Sequence, residues 1–375
     1  MLIAIVIFLI LLSVLVFIHE FGHFIMAKRA GIGVDEFGMG LPPRIFGKKI
    51  GETIYSLNLL PFGGFVKLVG EDPTDERRQL PNSFHLKPVN VRISVVLAGV
   101  VMNFLFGILL FYVILGFSNF RAELPLLFEH KFRFVSETKQ VAVVLVQKDS
   151  PAEKSGLKVG EIILTVDGET VSSADRLREL VSDRGGKETN LLLRTAGKND
   201  RREVSIVPRN DKEKGALGVS LSEVAILEYK TLPQKIFSGF SHAANTIEYS
   251  ARIFGSLTVA AVNLRSVEPL SSGVAGPVGI AQLTNEVVSL GLLPTLQFAA
   301  LLSLNLAVLN VLPLPALDGG RLLFLIIEGV FRKRVYPAFE KWVNTIGFAA
   351  LLLLILVITA NDIQRLLSQS GLLGR

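Results

Sequence analysis

The chain has 375 residues, of which 50% are hydrophobic and 19% charged, with a mean hydropathy of +0.49. A soluble globular chain is about 25% charged, so a soluble domain and a disordered chain are both excluded. The absence of cysteine removes disulfide scaffolds, thiolate metal sites and cysteine nucleophiles, and the modest net charge of +6 reads as loop bias rather than nucleic-acid affinity.

Four stretches carry no charged residue: 1–18, 93–120, 287–317 and 342–361. A helix needs about 20 mostly apolar residues to cross a bilayer, so the sequence predicts four membrane spans. The first lacks a basic leader and a small-residue cleavage site, and reads as a retained span. It runs directly into His19-Glu20-Phe21-Gly22-His23. With histidine at 5 and acids at 33 of 375 positions, chance supplies a His-acid-x-x-His roughly 0.006 times in such a chain. Residues i and i+4 of a helix share a face, so His19 and His23 can reach one ion, with Glu20 placed as a general base beside it.

Residues 51–70 read as an apolar hairpin, 53–59 and 65–69 flanking a Pro61-Phe62-Gly63-Gly64 turn. Such an element could dip into the membrane and offer Phe65 and Val66 as an edge to an extended peptide. In span two, Gly99-x3-Asn103-x3-Gly107 suits close helix approach. Asn103 reads either as a substrate-backbone contact or as an interhelical hydrogen bond.

Ten basic residues lie within 24–92, and Arg321, Arg332, Lys333, Arg334 and Lys341 join spans three and four. The positive-inside rule places both links in the cytoplasm and residues 121–286 outside it. In that outer segment, 141–146, 162–166 and 191–193 read as strands, Asp167-Gly168 as a turn, 173–181 as a Ser-capped helix and 184–198 as the most linker-like stretch. Residues 227–264 predict an amphipathic helix at the interface rather than a fifth span. Span three ends in Asn310-Val-Leu-Pro-Leu-Pro-Ala-Leu-Asp318-Gly-Gly320. A catalytic zinc usually has three protein ligands and a water. No other histidine lies near a span, and parity brings Asp318 to the same face as His19 and His23, which makes it the expected third ligand.

Together these motifs, with Phe37-Gly38-Met39-Gly40 and the PDZ-like run from Ser150-Pro151-Ala152 to Val166-Asp167-Gly168, resemble the site-2 protease family of intramembrane zinc metalloproteases. The resemblance is closest to the bacterial branch that includes the regulator of sigma-E protease. It implies one Zn2+ on His19, His23 and Asp318, Glu20 as base, Asn103 and Asn310 positioning substrate, and a membrane-reentrant β element. The expected architecture is a membrane protein with four transmembrane helices and one extracytoplasmic α+β PDZ domain. Its divisions are 1–120 and 291–375 for the protease core, 121–225 for the PDZ domain and flanks, and 226–290 for the interfacial helix and linker. Where the sigma-E branch often carries two tandem PDZ domains, this chain has room for one. The implied function is cleavage of single-span membrane proteins, anti-sigma factors or remnant signal peptides, in the bacterial inner membrane after an upstream site-1-type protease. A membrane-tethered PDZ scaffold with a vestigial metal site and a metal transporter are the rival readings. The transporter would need ionisable residues spaced through the bilayer rather than gathered at one depth.

Overall fold

The structure is a computed structural model that describes residues 2–72, 75–195, 200–210, 217–266 and 268–369. In chain order it contains α1 (Leu2–Arg29), β1 (Val34–Ile50), β2 (Thr53–Leu68), two 3-10 turns, α2 (Val89–Phe117), β3 (Arg121–Leu126), β4 (Ser136–Val146) and α3 (Pro151–Lys154). There follow β5 (Glu161–Val166), β6 (Glu169–Thr170), α4 (Ala174–Ser182), β7 (Thr189–Thr195), β8 (Arg201–Ile206) and β9 (Val219–Glu228). The C-terminal part holds α5 (Leu232–Ile236), α6 (Ser238–Leu264), α7 (Glu268–Gly273), α8 (Pro277–Leu290), α9 (Leu292–Val311), α10 (Asp318–Phe331) and α11 (Pro337–Gln369). Two compact units result, one of Met1–Ile114 with Thr246–Arg375 and one of Leu115–Asn245.

Among the described residues, four helical stretches are long and apolar enough to cross a membrane: Ile5–Arg29, Val89–Phe117, Leu292–Val311 and Ala338–Leu367. Large apolar side chains such as Trp342, Ile346, Leu353 and Leu356 stand exposed on α11. That costs little in lipid and much in water, so the chain is an integral membrane protein. The first helix continues past the predicted end at 18 and carries the His-Glu-x-x-His run within it. The third is shorter than predicted. Gly291, at φ 114°, separates it from α8, and Leu312 in extended conformation ends it ahead of Pro313 and Pro315.

In the first unit, α8 packs against α1, α9 and α11. Asp362 of α11 accepts the Gly279 N–H at 2.8 Å, tying the first turn of α8 to the last span. The hairpin differs from the sequence reading. The predicted strands 53–59 and 65–69 belong to one long strand, β2, and both lie against β1, which the sequence reading missed. Register pairs Phe37 with both Val66 and Tyr55, and Met39 with both Gly64 and Leu57, while 46–50 pairs with 53–57. Residues 36–39 are therefore flanked on both sides. Phe37 seats this small sheet on α1, with its ring 5.0 Å from Phe24, which in turn lies 5.9 Å from Tyr55. A buried cluster of Ala27, Ile32, Leu68, Phe84, Val95 and Leu325 binds the end of α1, the sheet, the start of α2 and α10 together. Beside it Arg92 holds Glu328 through two hydrogen bonds, at 3.0 and 2.6 Å.

The second unit is built on a sheet in the order β3-β9-β4-β5-β7-β8, with β6 beside β5. Its core comprises Val141, Val143, Ile163, Val166, Leu191 and Leu193 from the strands, under Leu177, Leu180 and Val181 of α4. As the Ser-x-x pattern predicts, the Ser173 hydroxyl accepts the Arg176 N–H at 3.1 Å and caps α4. The stretch 184–198 is not a linker through its length. The strand read at 191–193 extends over residues 189–195 as β7, between β5 and β8, and 196–198 lie outside the described residues.

Candidate functional site

His19 and His23 occupy the same face of α1, one turn apart. Asp318 opens α10 after a non-helical bridge, 312–317, in which Ala316 takes φ 68°. Why α10 can begin there is legible in the next two residues. A Cβ at Gly319 would lie 1.9 Å from the Leu312 carbonyl oxygen, and one at Gly320 2.4 Å from that of Leu314. Only glycine lets the helix start fold back so tightly under the bridge.

The three side chains converge. His19 Nε2 and His23 Nε2 lie 3.0 and 3.2 Å from Asp318 Oδ2, and 3.2 Å from each other. Neighbouring donors on a tetrahedral zinc with bonds of 2.0–2.1 Å stand about 3.3 Å apart. The triangle therefore matches one face of such a site and leaves a fourth position open. Asp318 Oδ2 is buried and makes no hydrogen bond. Three electron-pair donors facing one point without a shared hydrogen fit a divalent cation. Among the described residues, this is the group of three His, Asp or Glu side chains with metal-binding geometry.

α2 backs both imidazoles. His23 Nδ1 is 2.8 Å from the Val95 carbonyl oxygen. A Cβ at Gly99 would meet His23 Nε2 at 2.4 Å and His19 Cε1 at 2.8 Å, so the glycine is what lets α2 pass against the rings. One turn on, the Asn103 amide lies 3.4 Å from His19 Nδ1, and the Ser303 hydroxyl donates to the Asn103 carbonyl at 2.7 Å.

Two cavities meet at this centre, and Glu20 and Asp318 line both. The first also touches His23, Gly64, Phe65, Val66 and Arg321. The second also touches His19, Asn103, Leu306, Asn310 and Leu317. Every residue singled out from the sequence thus falls in one place: His19, Glu20, His23 and Asp318 at the centre, Asn103 and Asn310 on one side, Phe65 and Val66 on the other. The sequence reading missed an ion pair on the wall of the first cavity, Arg321 to Glu71. Arg321 follows Asp318 by three residues and so shares its helix face. That spacing is visible in the sequence, where Arg321 otherwise reads only as a topology charge. The Val95 carbonyl carries no sequence signal at all.

Comparison with known proteins agrees with this chemistry. The zinc metalloprotease RasP of Shouchella clausii is 30% identical over 443 residues, covering 96% of this chain and 99% of its own. The regulator of sigma-W protease RasP of Bacillus subtilis is 29% identical, covering 96% and 98%. A candidate zinc metalloprotease of Clostridium perfringens is 34% identical over 352 residues, covering 94% and 96%. A solved PDZ domain of an SdrC-like protein from Listeria monocytogenes aligns with 22% of this chain and 85% of its own at 21% identity, with a TM-score of 0.19. The profile of peptidase family M50 matches residues 7–354, which take in both the paired histidines of α1 and the aspartate of α10, and the chain belongs to that family as a metalloprotease.

Proposed function

We propose that the protein is an intramembrane endopeptidase that cleaves single-span membrane proteins at one zinc held by His19, His23 and Asp318. The observation that carries this reading is the triangle of their donor atoms, with edges of 3.0 to 3.2 Å, two of its corners on a helix of membrane-spanning length and the third opening the helix that follows another. Bound there, zinc supplies Lewis acidity toward the scissile carbonyl and makes a water acidic enough to attack at neutral pH. Glu20 takes the proton of the attacking water and returns it to the leaving amine. A helical substrate hides its carbonyls in its own hydrogen bonds and must be opened first. Residues 64–66 of β2 line the first cavity and offer a strand edge to the opened segment, with Phe65 and Val66 against it. Asn103 and Asn310 offer amides to it from the second cavity.

The charge distribution supports a site near the cytoplasmic face, with residues 24–92 and 318–341 inside and the N-terminus and the Leu115–Asn245 unit outside. In that unit the run from Ser150 to Gly168 and the capped α4 support a single PDZ domain, acting as a docking site or size filter for substrates already trimmed by another protease. The Bacillus subtilis relative carries the name of a regulator of sigma-W protease, which favours anti-sigma factors over remnant signal peptides as substrates.

The test is cleavage of a single-span substrate in detergent with zinc quantified. Wild type should cleave, Glu20→Gln should keep zinc and lose cleavage, and Asp318→Asn should lose both. Full cleavage by Glu20→Gln would defeat the base assignment. Folded wild type that takes up no zinc would favour the scaffold reading.

A further inference from the structure

The face of α2 that backs the metal site presents three consecutive turns to the two imidazoles. Val95 contributes a carbonyl to His23 Nδ1 at 2.8 Å, Gly99 contributes the absence of a side chain, and Asn103 contributes an amide to His19 Nδ1 at 3.4 Å. The two rings are thus treated alike: each turns Nε2 to the common point and Nδ1 to α2. For His23 the partner is an acceptor, which fixes the hydrogen on Nδ1 and the lone pair on Nε2. His19 needs the same arrangement if its Nε2 is to bind a metal. Its partner must therefore accept as well, and an amide can do so through its oxygen. As placed, the Asn103 nitrogen faces the ring while its oxygen is buried without a hydrogen-bond partner. Amide oxygen and nitrogen are assigned from such networks, and turning the group by half a revolution puts the unused acceptor on the ring. Asn103 is 1% exposed, so its amide is shielded from solvent, and its backbone carbonyl accepts from Ser303 of α9.

We infer that Asn103 is a positioning residue for the metal ligand His19, its amide oxygen accepting the His19 Nδ1 hydrogen and so presenting the Nε2 lone pair. This rests on the zinc reading above and adds a role that substrate contact alone does not require. The turned amide leaves its NH2 as a donor at the wall of the cavity that Glu20 and Asn310 also line.

The experiment measures zinc affinity, by competition with a chelator, on the purified full chain in detergent, together with the visible spectrum of the cobalt-substituted protein. Partners in this position typically contribute 10- to 100-fold in metal affinity. Asn103→Leu should lose affinity by that factor and shift the cobalt spectrum. Asn103→Asp, which keeps an acceptor, should stay within a few-fold of wild type. Asn103→Ala gives the same comparison should the leucine fail to fold. Zinc affinity of Asn103→Leu or Asn103→Ala within twofold of wild type would overturn the inference, even with cleavage lost, since Asn103 would then act on substrate alone. Equal losses in the aspartate and leucine variants would overturn it too. Undiminished zinc binding by His19→Ala would instead overturn the metal-site reading itself.

Discussion

Substituting Gly99 by alanine tests the proposed metal centre without touching a ligand. The added Cβ would stand 2.4 Å from His23 Nε2 and 2.8 Å from His19 Cε1 and His23 Cε1, where ordinary contact begins at 3.4 Å. Something must move by about 1 Å, and close packing shares such strain among few neighbours. If α2 withdraws, the 2.8 Å contact of His23 Nδ1 with the Val95 carbonyl opens beyond hydrogen-bond range. If the rings yield, the donor triangle loses a geometry that metals tolerate to about 0.2 Å. Either path removes support worth 10- to 100-fold in affinity, about 1.4–2.7 kcal/mol, and overpacking adds about 1–3 kcal/mol of destabilisation. The expected result is a fall of at least tenfold in zinc affinity by chelator competition, with a lowered melting temperature in detergent. Gly107→Ala is the control, since its Cβ would meet Leu304 Cδ2 and Cγ at 2.9 Å, far from the ligands, and should lower stability while leaving zinc affinity unchanged. Gly99→Ala protein with zinc affinity within twofold of wild type would refute the packing argument.

Glu20→Gln should cut the cleavage rate by about 10²–10⁴-fold with zinc stoichiometry intact, as expected for loss of a general base; a fall below tenfold would point to another base. Arg321→Met should weaken cleavage by freeing the Glu71 carboxylate at the cavity wall, and a Glu71→Arg/Arg321→Glu exchange should recover part of it; independent, additive effects of the two changes would show that the pair does not act as one. Glu328→Leu should destabilise the membrane unit by about 3 kcal/mol, because Arg92 is 5% exposed and would be left charged without a counter-ion, with only the Lys87 carbonyl still accepting from its Nε; unfolding midpoints in denaturant give the value. His85 lies within hydrogen-bond range of Arg78 and Arg334, and burial first, then Arg334, Arg78 and Arg92 against Glu328, lower its pKa from 6.5 to about 4. Because the folded chain resists this proton, the contact stabilises fully above pH 6.5 and weakens as pH falls toward 4. Limited proteolysis near residues 75–88 should speed up over that range in wild type and show a flatter profile in His85→Asn.

The chemistry was more legible than the scaffolding. His19, Glu20 and His23 announce themselves by spacing, because a helix turns any i, i+4 pair onto one face. Asp318 follows from parity, a global count that needs no knowledge of packing. α4 follows from its Ser173 cap and its period. β1 was invisible for a physical reason. Residues 34–40 do not alternate, since residues 36–39 are flanked by β2 on both sides and Phe37 is claimed by α1, so the strand is defined by tertiary contacts. In the sequence Gly99 reads as a helix-packing residue, and in the structure what it packs against is the pair of imidazoles of His19 and His23. The Glu71–Arg321 pair joins positions that nothing local connects.

The donor set is split between the two ends of the chain: α1 brings two imidazoles, and α10 brings the carboxylate after the whole Leu115–Asn245 unit has been passed. With the donors assigned as proposed, a growing chain carries an incomplete centre through most of its synthesis. The carboxylate arrives only with the last quarter of the polypeptide. A peptidase assembled in this order has no complete centre with which to cut itself or its neighbours while its helices are still entering the bilayer. On the proposed assignment, an ion that binds only the finished arrangement would draw the two ends together by mass action and act as a fastener on the folded state.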